Sequence, residues 1–484
     1  MEGTASSKPR VGATERSATR LRVAFARGRW LAGVAAVLIS ALLAPARPTQ
    51  AAPQPVLFRD VNVVPMTDES LLQARDVLVT NGKIQSIAPA GTVQAPADAL
   101  IVNGSGRYLM PGLAEMHAHL PPRAREQEAL DILLLYVAHG VTTIRGMLGD
   151  PWHPQLRQQL ERQEVFGPRL FTAGPSFNGN SAPDIQTAQR MVREQAAAGY
   201  DFLKLHPGLK RDVFDAIAAS ALDAKITFQG HVSIDVGVPH ALQAKQRAID
   251  HLDGYVMALA DPGCAQKVRT SFIFGMELAH CADLSRIPAL VRSTKEAGTW
   301  MVPTQILLEQ WAVPPAREAL LARPGLRYLP PGTVDRWLSQ LHNFIGPNAV
   351  PAEQGKRYIE VTRALIRELH KQGVPIAAGS DSPQVFNIPG DSVLREIALY
   401  VDIGLSPHEA LRTATVNPAR FFNAESRFGT VREGLEADLI LVEDNPLSDI
   451  RALRQLAGVM VRGQWLPRAT LDEKLNALAE RVNP

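Results

Sequence analysis

The sequence predicts an α/β protein built around a closed (β/α)8 TIM-like barrel. Two observations predict it. Eight short strand-like segments recur through the middle of the chain, each followed by enough residues for a helix. Polar residues capable of chemistry fall at the carboxy-terminal ends of those segments, the end where such barrels carry their active groups. Strands alternating with helices pair in parallel, and eight such units are what a closed barrel requires.

The strand-like segments are residues 112–120, 141–147, 169–175, 201–206, 225–232, 248–254, 298–305 and 374–381. Helical patterns lie between them, as in 189–198 (QRMVREQAAA) and 358–372 (YIEVTRALIRELHKQ). On the first segment His117 and His119 are separated by one residue. Side chains alternate along a strand, so both imidazoles share a face. Two converging imidazoles form part of a metal site, and imidazole suits zinc and its borderline neighbours. Arg145 ends the second segment, Lys204 and His206 share a face of the fourth, His231 ends the fifth, His251 the sixth and Asp381 the eighth.

The ordered set PGLAEMHAHL, GVTTIRGM, GYDFLKLH, FQGHV, AIDHLDG, AGSDSP and LRTATVNPARFF resembles the amidohydrolase superfamily. The branch it resembles holds imidazolonepropionase-like and prolidase-like members. The closing stretch GTVREGLEADLILVEDNPLSDI resembles that family's last segment, so the likeness covers nearly all of the chain after the leader. The resemblance implies a centre of two divalent ions, with zinc the expected metal. His117, His119 and Asp381 would hold the more buried ion, and His231 and His251 the more exposed one. Lys204 would bridge them as a carbamate, carboxylated by carbon dioxide. A lysine there could instead pair with a carboxylate, but its apolar strand argues against that, because an unpaired buried ammonium is costly. Asp381 would act as general base and then acid toward a metal-activated water.

Other readings accompany these residues. His206 could contact substrate or stabilise an oxyanion, or serve as a hydrogen-bonder behind the ligands. Arg145 could grip a substrate carboxylate or form a structural ion pair. Glu115 stands where the family usually shows Asp. Asp381 could also cap a following helix, with Ser382-Pro383 as its start. His139, just before Gly140, should end a helix as a cation favoured by the dipole. His153, His240, His280, His342, His370 and His408 read as core or surface residues.

The chain has 484 residues, 46% of them hydrophobic, enough for one large core and an accessory domain. Its first fifty residues differ from the rest. Lys8, Arg10, Arg16, Arg20, Arg22, Arg27 and Arg29 precede an apolar run over 30–44, and Thr49-Gln50-Ala51 supplies small residues for cleavage. That is the layout of a secretory signal peptide. A helical run of that length spans only ~22 Å, short of a ~30 Å hydrocarbon core, so cleavage is expected and no stable anchor. The expectation is a periplasmic or secreted protein. The first 51 residues hold eight of the 51 Lys and Arg and two of the 48 Asp and Glu. The remainder carries 43 basic against 46 acidic groups, near −3, so the positive net charge belongs to the leader. No basic stripe beside aromatic platforms suggests a nucleic-acid partner. The partner expected is a small-molecule substrate, and a homo-oligomer stays open. Cys264 and Cys281 could pair in an oxidising compartment or stay as buried thiols.

The two ends flank the barrel. Residues 54–110 alternate apolar and polar with turns at Asn81-Gly82, Ala90-Gly91 and Asn103-Gly104, as in short antiparallel strands. Residues 428–466 repeat the pattern, and 471–481 reads as a terminal helix. The family suggests one small β-sandwich made from both ends. The expected division is a leader over 1–51, sandwich parts over 54–110 and 425–468, the barrel over 111–424 and a tail over 469–484.

Substrate choice should lie in long connections. The longest, 307–354, carries Trp311, Pro314-Pro315, Pro330-Pro331, Trp337 and Pro347, and reads as a proline-stiffened lid or pocket wall. Residues 385–391 could also touch substrate. The function expected is cleavage of an amide-type C–N bond, in a dipeptide or cyclic amide. A lactonase or organophosphate hydrolase with the same centre is the alternative within enzymes. A non-catalytic periplasmic binding protein that keeps the fold is the alternative outside them.

Overall fold

The computed structural model describes residues 53–268, 274–346 and 350–483; the expected leader and Pro347 lie outside these residues. Among the described residues no helix is long and apolar enough to cross a membrane. The chain first lays down five strands: β1 (Val56–Val63), β2 (Leu72–Thr80), β3 (Lys83–Pro89), β4 (Leu100–Asn103) and β5 (Tyr108–Pro111). β1 and β2 pair antiparallel, as do β2 and β3. The β2–β3 turn, Asn81-Gly82, has φ of 51° and 74°, the two left-handed residues that a tight hairpin needs. β4 and β5, expected to be antiparallel, instead both run parallel to β1. The 90–99 connection carries the chain back to the start of β1, where Leu100 N–H donates to Pro55 O (2.8 Å). Asp60, at φ 54°, lies where β1 shifts register, and the two returning strands dock on either side of it.

The barrel-type segments follow as β6 (Leu113–His119), β7 (Val141–Leu148), β8 (Arg169–Thr172), β9 (Phe202–Leu205), β10 (Thr227–Gly230), β11 (Ala248–Asp250) and β12 (Trp300–Val302). All pair in parallel, in one sheet of β6-β7-β8 and another of β9-β10-β11-β12. Parallel bridges Ala173–Phe202 and Phe177–Leu205 link the stretch after β8 to β9. The eighth expected strand, 374–381, forms no regular ladder. It is held by single parallel bridges, Ile376 to Met301 of β12, and Ser382 to Ala118 of β6. The reason lies in where its N–H groups go. Ala378 N–H donates to Thr413 O (2.9 Å) and Ser380 N–H to the Glu115 carboxylate (2.8 Å), so neither is left for a neighbouring strand. Gly379 sits so close to β6 that a Cβ there would fall 2.9 Å from His117 N.

Helices match the expected pattern and extend it. The 189–198 pattern lies in Ile185–Ala197, started by Asp184, whose side chain accepts from Thr187 N–H. The 358–372 pattern lies in Ala352–Lys371. The 307–354 connection is not an open loop: it folds into helices Gln305–Ala312, Arg317–Leu321 and Thr333–Gln340. Leu320, Tyr328, Leu329 and Trp337 pack with Phe386 and with Leu475 and Leu478 of the carboxy-terminal helix Arg468–Val482. The tail therefore buttresses this wall, a role its helical pattern alone did not show.

Buried Glu396 accepts from the first two N–H groups of Gln305–Ala312 (both 2.8 Å), meeting the orphan donors of that helix. Burial raises its carboxyl from 4.5 to about 7. A raised folded-state value means the native protein binds the proton more tightly than the unfolded chain does. The stabilisation that proton brings is present below pH 4.5 and is lost as pH rises toward 7. Chemical denaturation of Glu396→Gln beside the parent should show the parent's relative stability falling by about 3 kcal/mol across that window.

The chain ends with β13 (Leu439–Val442), β14 (Leu456–Val461) and β15 (Gln464–Pro467). β13 pairs antiparallel with β5, which joins both ends of the chain in one eight-stranded sheet. Alternation separates its faces. Leu439 and Leu441 enter a small core with Phe58, Val61 and Leu109, while Ile440 and Val442 join the main core. Phe58 and Trp465 lie four strands apart in the sheet order yet meet edge to face at 5.0 Å, so the sheet folds over this small core.

Candidate metal centre

The strand ends deliver the expected side chains to one place. Alternation on β6 brings His117 and His119 together, with ring centroids 5.3 Å apart. His251 follows β11, its ring 4.6 Å from His117 and 4.7 Å from His231, which follows β10. His206, just past β9, lies 5.1 Å from His231 in a near-stacked pose. Three imidazole Nε2 atoms point at one carboxylate. His119 Nε2 lies 3.1 Å from Asp381 Oδ1, His117 Nε2 3.4 Å from Oδ1, and His251 Nε2 3.7 Å from Oδ2. One donor atom from each of His117, His119 and Asp381 falls within 4.8 Å of the others. Lys204, fully buried on β9, stands behind them.

Partners on the far ring nitrogens fix these imidazoles. His231 Nδ1 is 3.0 Å from Asp253 Oδ2, and His251 Nδ1 is 2.7 Å from Thr304 Oγ1. Such outer hydrogen bonds orient a ligand and leave Nε2 as the free donor. Burial lowers all the imidazoles, His119 to about 3 and His206 to about 2, so they are neutral and their lone pairs are available. Burial also raises the Asp381 carboxyl to about 7.

Asp250, which the sequence reading missed, is the hinge of the cluster. Its carboxylate meets Arg145 Nη2 at 2.7 Å, His117 Nδ1 at 3.4 Å and Lys204 Nζ at 3.5 Å, and it is fully buried. Lys204 thus does have a carboxylate neighbour, contrary to what its apolar strand suggested. Strict alternation would put Asp250 and His251 on opposite faces. His251 has φ of 61°, in the left-handed region, and the bend turns both side chains inward. Asp381 (59°) and Thr304 (48°) share that conformation. Non-glycine residues held there cost of order 1–3 kcal/mol each, and such strain clusters at functional sites. A signal existed in the acidic pair flanking His251 in AIDHLDG.

The remaining expectations sort themselves by position. Arg145 is fully buried, bound to Asp250 and to Met116 O, so the structural ion pair is the role its surroundings supply; nothing exposes it to a substrate carboxylate. Replacing Arg145 with Met should cost about 3–5 kcal/mol in urea unfolding, because buried Asp250 would lose its close partner at 2.7 Å and keep only Lys204 at 3.5 Å. Adding Asp250→Asn should recover much of that loss. Glu115 ties three donors, His117 N–H, Ser380 N–H and Ser380 Oγ–H, and so fixes the first strand to the eighth. Asp381 caps no helix: the next one begins at Asp391, and the Ser382-Pro383 peptide is cis. His139 does end helix Glu126–Ala138, but burial lowers its imidazole, which bonds Leu135 O at 2.8 Å as a neutral group rather than a cation. Cys264 and Cys281 are bonded to each other, with Cα atoms 5.6 Å apart.

The residues fit divalent ions. Buried polar atoms lacking a hydrogen-bond partner gather here: His117 Nδ1, His119 Nε2, Lys204 Nζ, Asp250 Oδ2 and Asp381 Oδ1. A buried polar atom left unpaired costs ~1–3 kcal/mol. Neutral imidazoles beside carboxylates form a borderline nitrogen–oxygen donor set suited to zinc and its neighbours.

The family model described as Amidohydrolase family matches residues 108–466. An imidazolonepropionase of Idiomarina loihiensis is 22% identical over 399 residues, which is 79% of this chain and 90% of that protein. Among solved structures, a putative prolidase from Bifidobacterium longum superposes with a TM-score of 0.64 at 22% identity, covering 90% of this chain and all of that one. Bottromycin amidohydrolase gives a TM-score of 0.67 at 21% identity, over 92% and 95% of the two chains. These structural likenesses are likenesses of fold.

Proposed function

We propose that this chain, which belongs to the amidohydrolase family, is a metal-dependent hydrolase cleaving an amide-type C–N bond of a dipeptide or cyclic amide. The observation that carries the reading is the convergence of three imidazole Nε2 atoms on Asp381 at the carboxy-terminal ends of parallel strands. The bridges from β12 through 376–382 to β6 support a closed (β/α)8 barrel around that point. His117, His119 and Asp381 would hold one ion, His231 and His251 a second, with Lys204 between. Such ions polarise a carbonyl and acidify a water.

The chain's own groups do the rest. The Lys204 amine adds carbon dioxide and releases a proton, becoming an anionic ligand; Arg145 already neutralises the neighbouring Asp250. Asp381, facing the three imidazoles at 3.1–3.7 Å, accepts the proton of the attacking water and returns it to the leaving nitrogen as the C–N bond breaks. Neutral His206, half-buried beside His231, is placed to donate to the developing oxyanion.

Export from the cytoplasm through the 1–51 leader completes the proposal, and the Cys264–Cys281 bond suits an oxidising compartment. The test is hydrolysis of dipeptides, cyclic amides, lactones and phosphotriesters by metal-loaded and chelator-treated protein. Amide cleavage that chelation abolishes and metal restores is expected. Cleavage confined to lactones or phosphotriesters, or none, would overturn the reading.

A further inference from the structure

A cleft of about 190 Å³ opens directly beside His119, between helix Glu126–Ala138 and the wall around helix Thr333–Gln340. Pro383, two residues after Asp381, also lines it. Part of its lining is apolar and buried, Ile132 and Leu135 from the first helix and Tyr328, Leu329 and Trp337 from the wall, while polar and charged side chains supply the rest. An apolar cavity of about 150 Å³ takes up a benzene molecule, so this cleft has room for one aromatic side group.

Its charges are arranged unevenly. Arg125 pairs with Glu128 (3.0 Å) and Asp131 with Arg481, so these cancel. Arg336, exposed at the rim, has no carboxylate partner among the described residues; its guanidinium donates to Thr333 Oγ1 of its own helix (2.8 Å). An uncancelled guanidinium at the rim of a partly apolar cleft matches a ligand that is aromatic in its body and anionic at one edge, since guanidinium pairs with carboxylate in a directed, bidentate way.

We propose that this cleft selects the substrate: an N-acylated aromatic amino acid, dipeptides included, with its ring between Ile132 and Trp337 and its free carboxylate on Arg336. This rests on the amide-hydrolase reading, which places the scissile bond at the adjoining His119 and Asp381.

The test measures binding by calorimetry to the full chain, chelator-treated so that no turnover intervenes. The probes are N-acetyl-L-phenylalanine, its carboxamide, which lacks the charge, and N-acetyl-L-alanine, which lacks the ring. Each neutral or small probe should bind roughly tenfold or more weakly than the first, the scale of one charge-assisted pair or one buried ring. Arg336→Ala should bind the acid and its carboxamide alike, and Leu135→Trp, which fills the cleft, should bind neither. Arg336→Gln, which keeps a donor for Thr333, replaces Arg336→Ala if that variant melts early. Equal binding of acid and carboxamide by the parent, or a preference that survives both Arg336 changes, overturns the proposal. Amide hydrolysis without this binding pattern would sink the cleft assignment alone. The pattern without hydrolysis of any dipeptide, N-acyl amino acid or cyclic amide would leave the cleft and sink the amidase reading.

Discussion

Replacing Asp381 with Asn should lower kcat roughly 10²- to 10⁴-fold while leaving the fold intact, the range that a positioned acid–base group supplies. The change is nearly isosteric, and it removes the one group that three imidazoles face at 3.1–3.7 Å. An amide side chain cannot take up the proton of an attacking water, so the loss should appear in kcat more than in KM. Steady-state kinetics with a parallel melting curve checks this. Retained kcat would mean that the proton goes elsewhere, and His206 would then be the group to examine. A collapsed melting temperature would place the residue in the scaffold instead.

Lys204→Ala should lose bound metal and cut turnover by roughly 10²- to 10³-fold or more, the scale of removing one preorganised electrostatic group. Two stability terms oppose each other in the metal-free variant. Truncating a fully buried lysine leaves a cavity, a change that costs about 2–5 kcal/mol in comparable cores. Removing an amine whose charged form burial disfavours, and that has Asp250 only at 3.5 Å, offsets part of that cost. The metal-free melting temperature should therefore move little, and the phenotype should be one of metal and activity. A short carboxylate such as propionate can occupy the vacated space and present two oxygens. Partial return of metal and turnover in its presence is the expected signature of a carbamate role. A variant with full metal and full turnover would remove Lys204 from the scheme.

The parts of the molecule legible from its residues are those governed by repeating local rules. Strand alternation was enough to place His117 and His119 on one face, and the alternation of strands with helices anticipated β6 to β12 in order. What escaped that reading departs from regular backbone. Asp250 is invisible to alternation because His251 turns left-handed directly after it. The eighth segment lacks a ladder because Thr413 O and the Glu115 carboxylate capture its N–H groups, contacts made across 265 residues of sequence in the case of Glu115. β4 and β5 run parallel to β1 because the chain doubles back before pairing, which turn residues alone do not reveal. Arg145 illustrates the same limit: a cation at a strand end faces either a ligand or a buried carboxylate, and only the position of Asp250 decides.

Anomalous diffraction at the zinc edge, from crystals of the protein grown with zinc and bicarbonate, tests the centre most directly. Two peaks are expected inside the cluster, one among His117, His119 and Asp381, the other beside His231 and His251, with density for a carboxylated Lys204 between them. Ions absent from this cluster, or bound elsewhere on the chain while amide hydrolysis persists, would contradict the account.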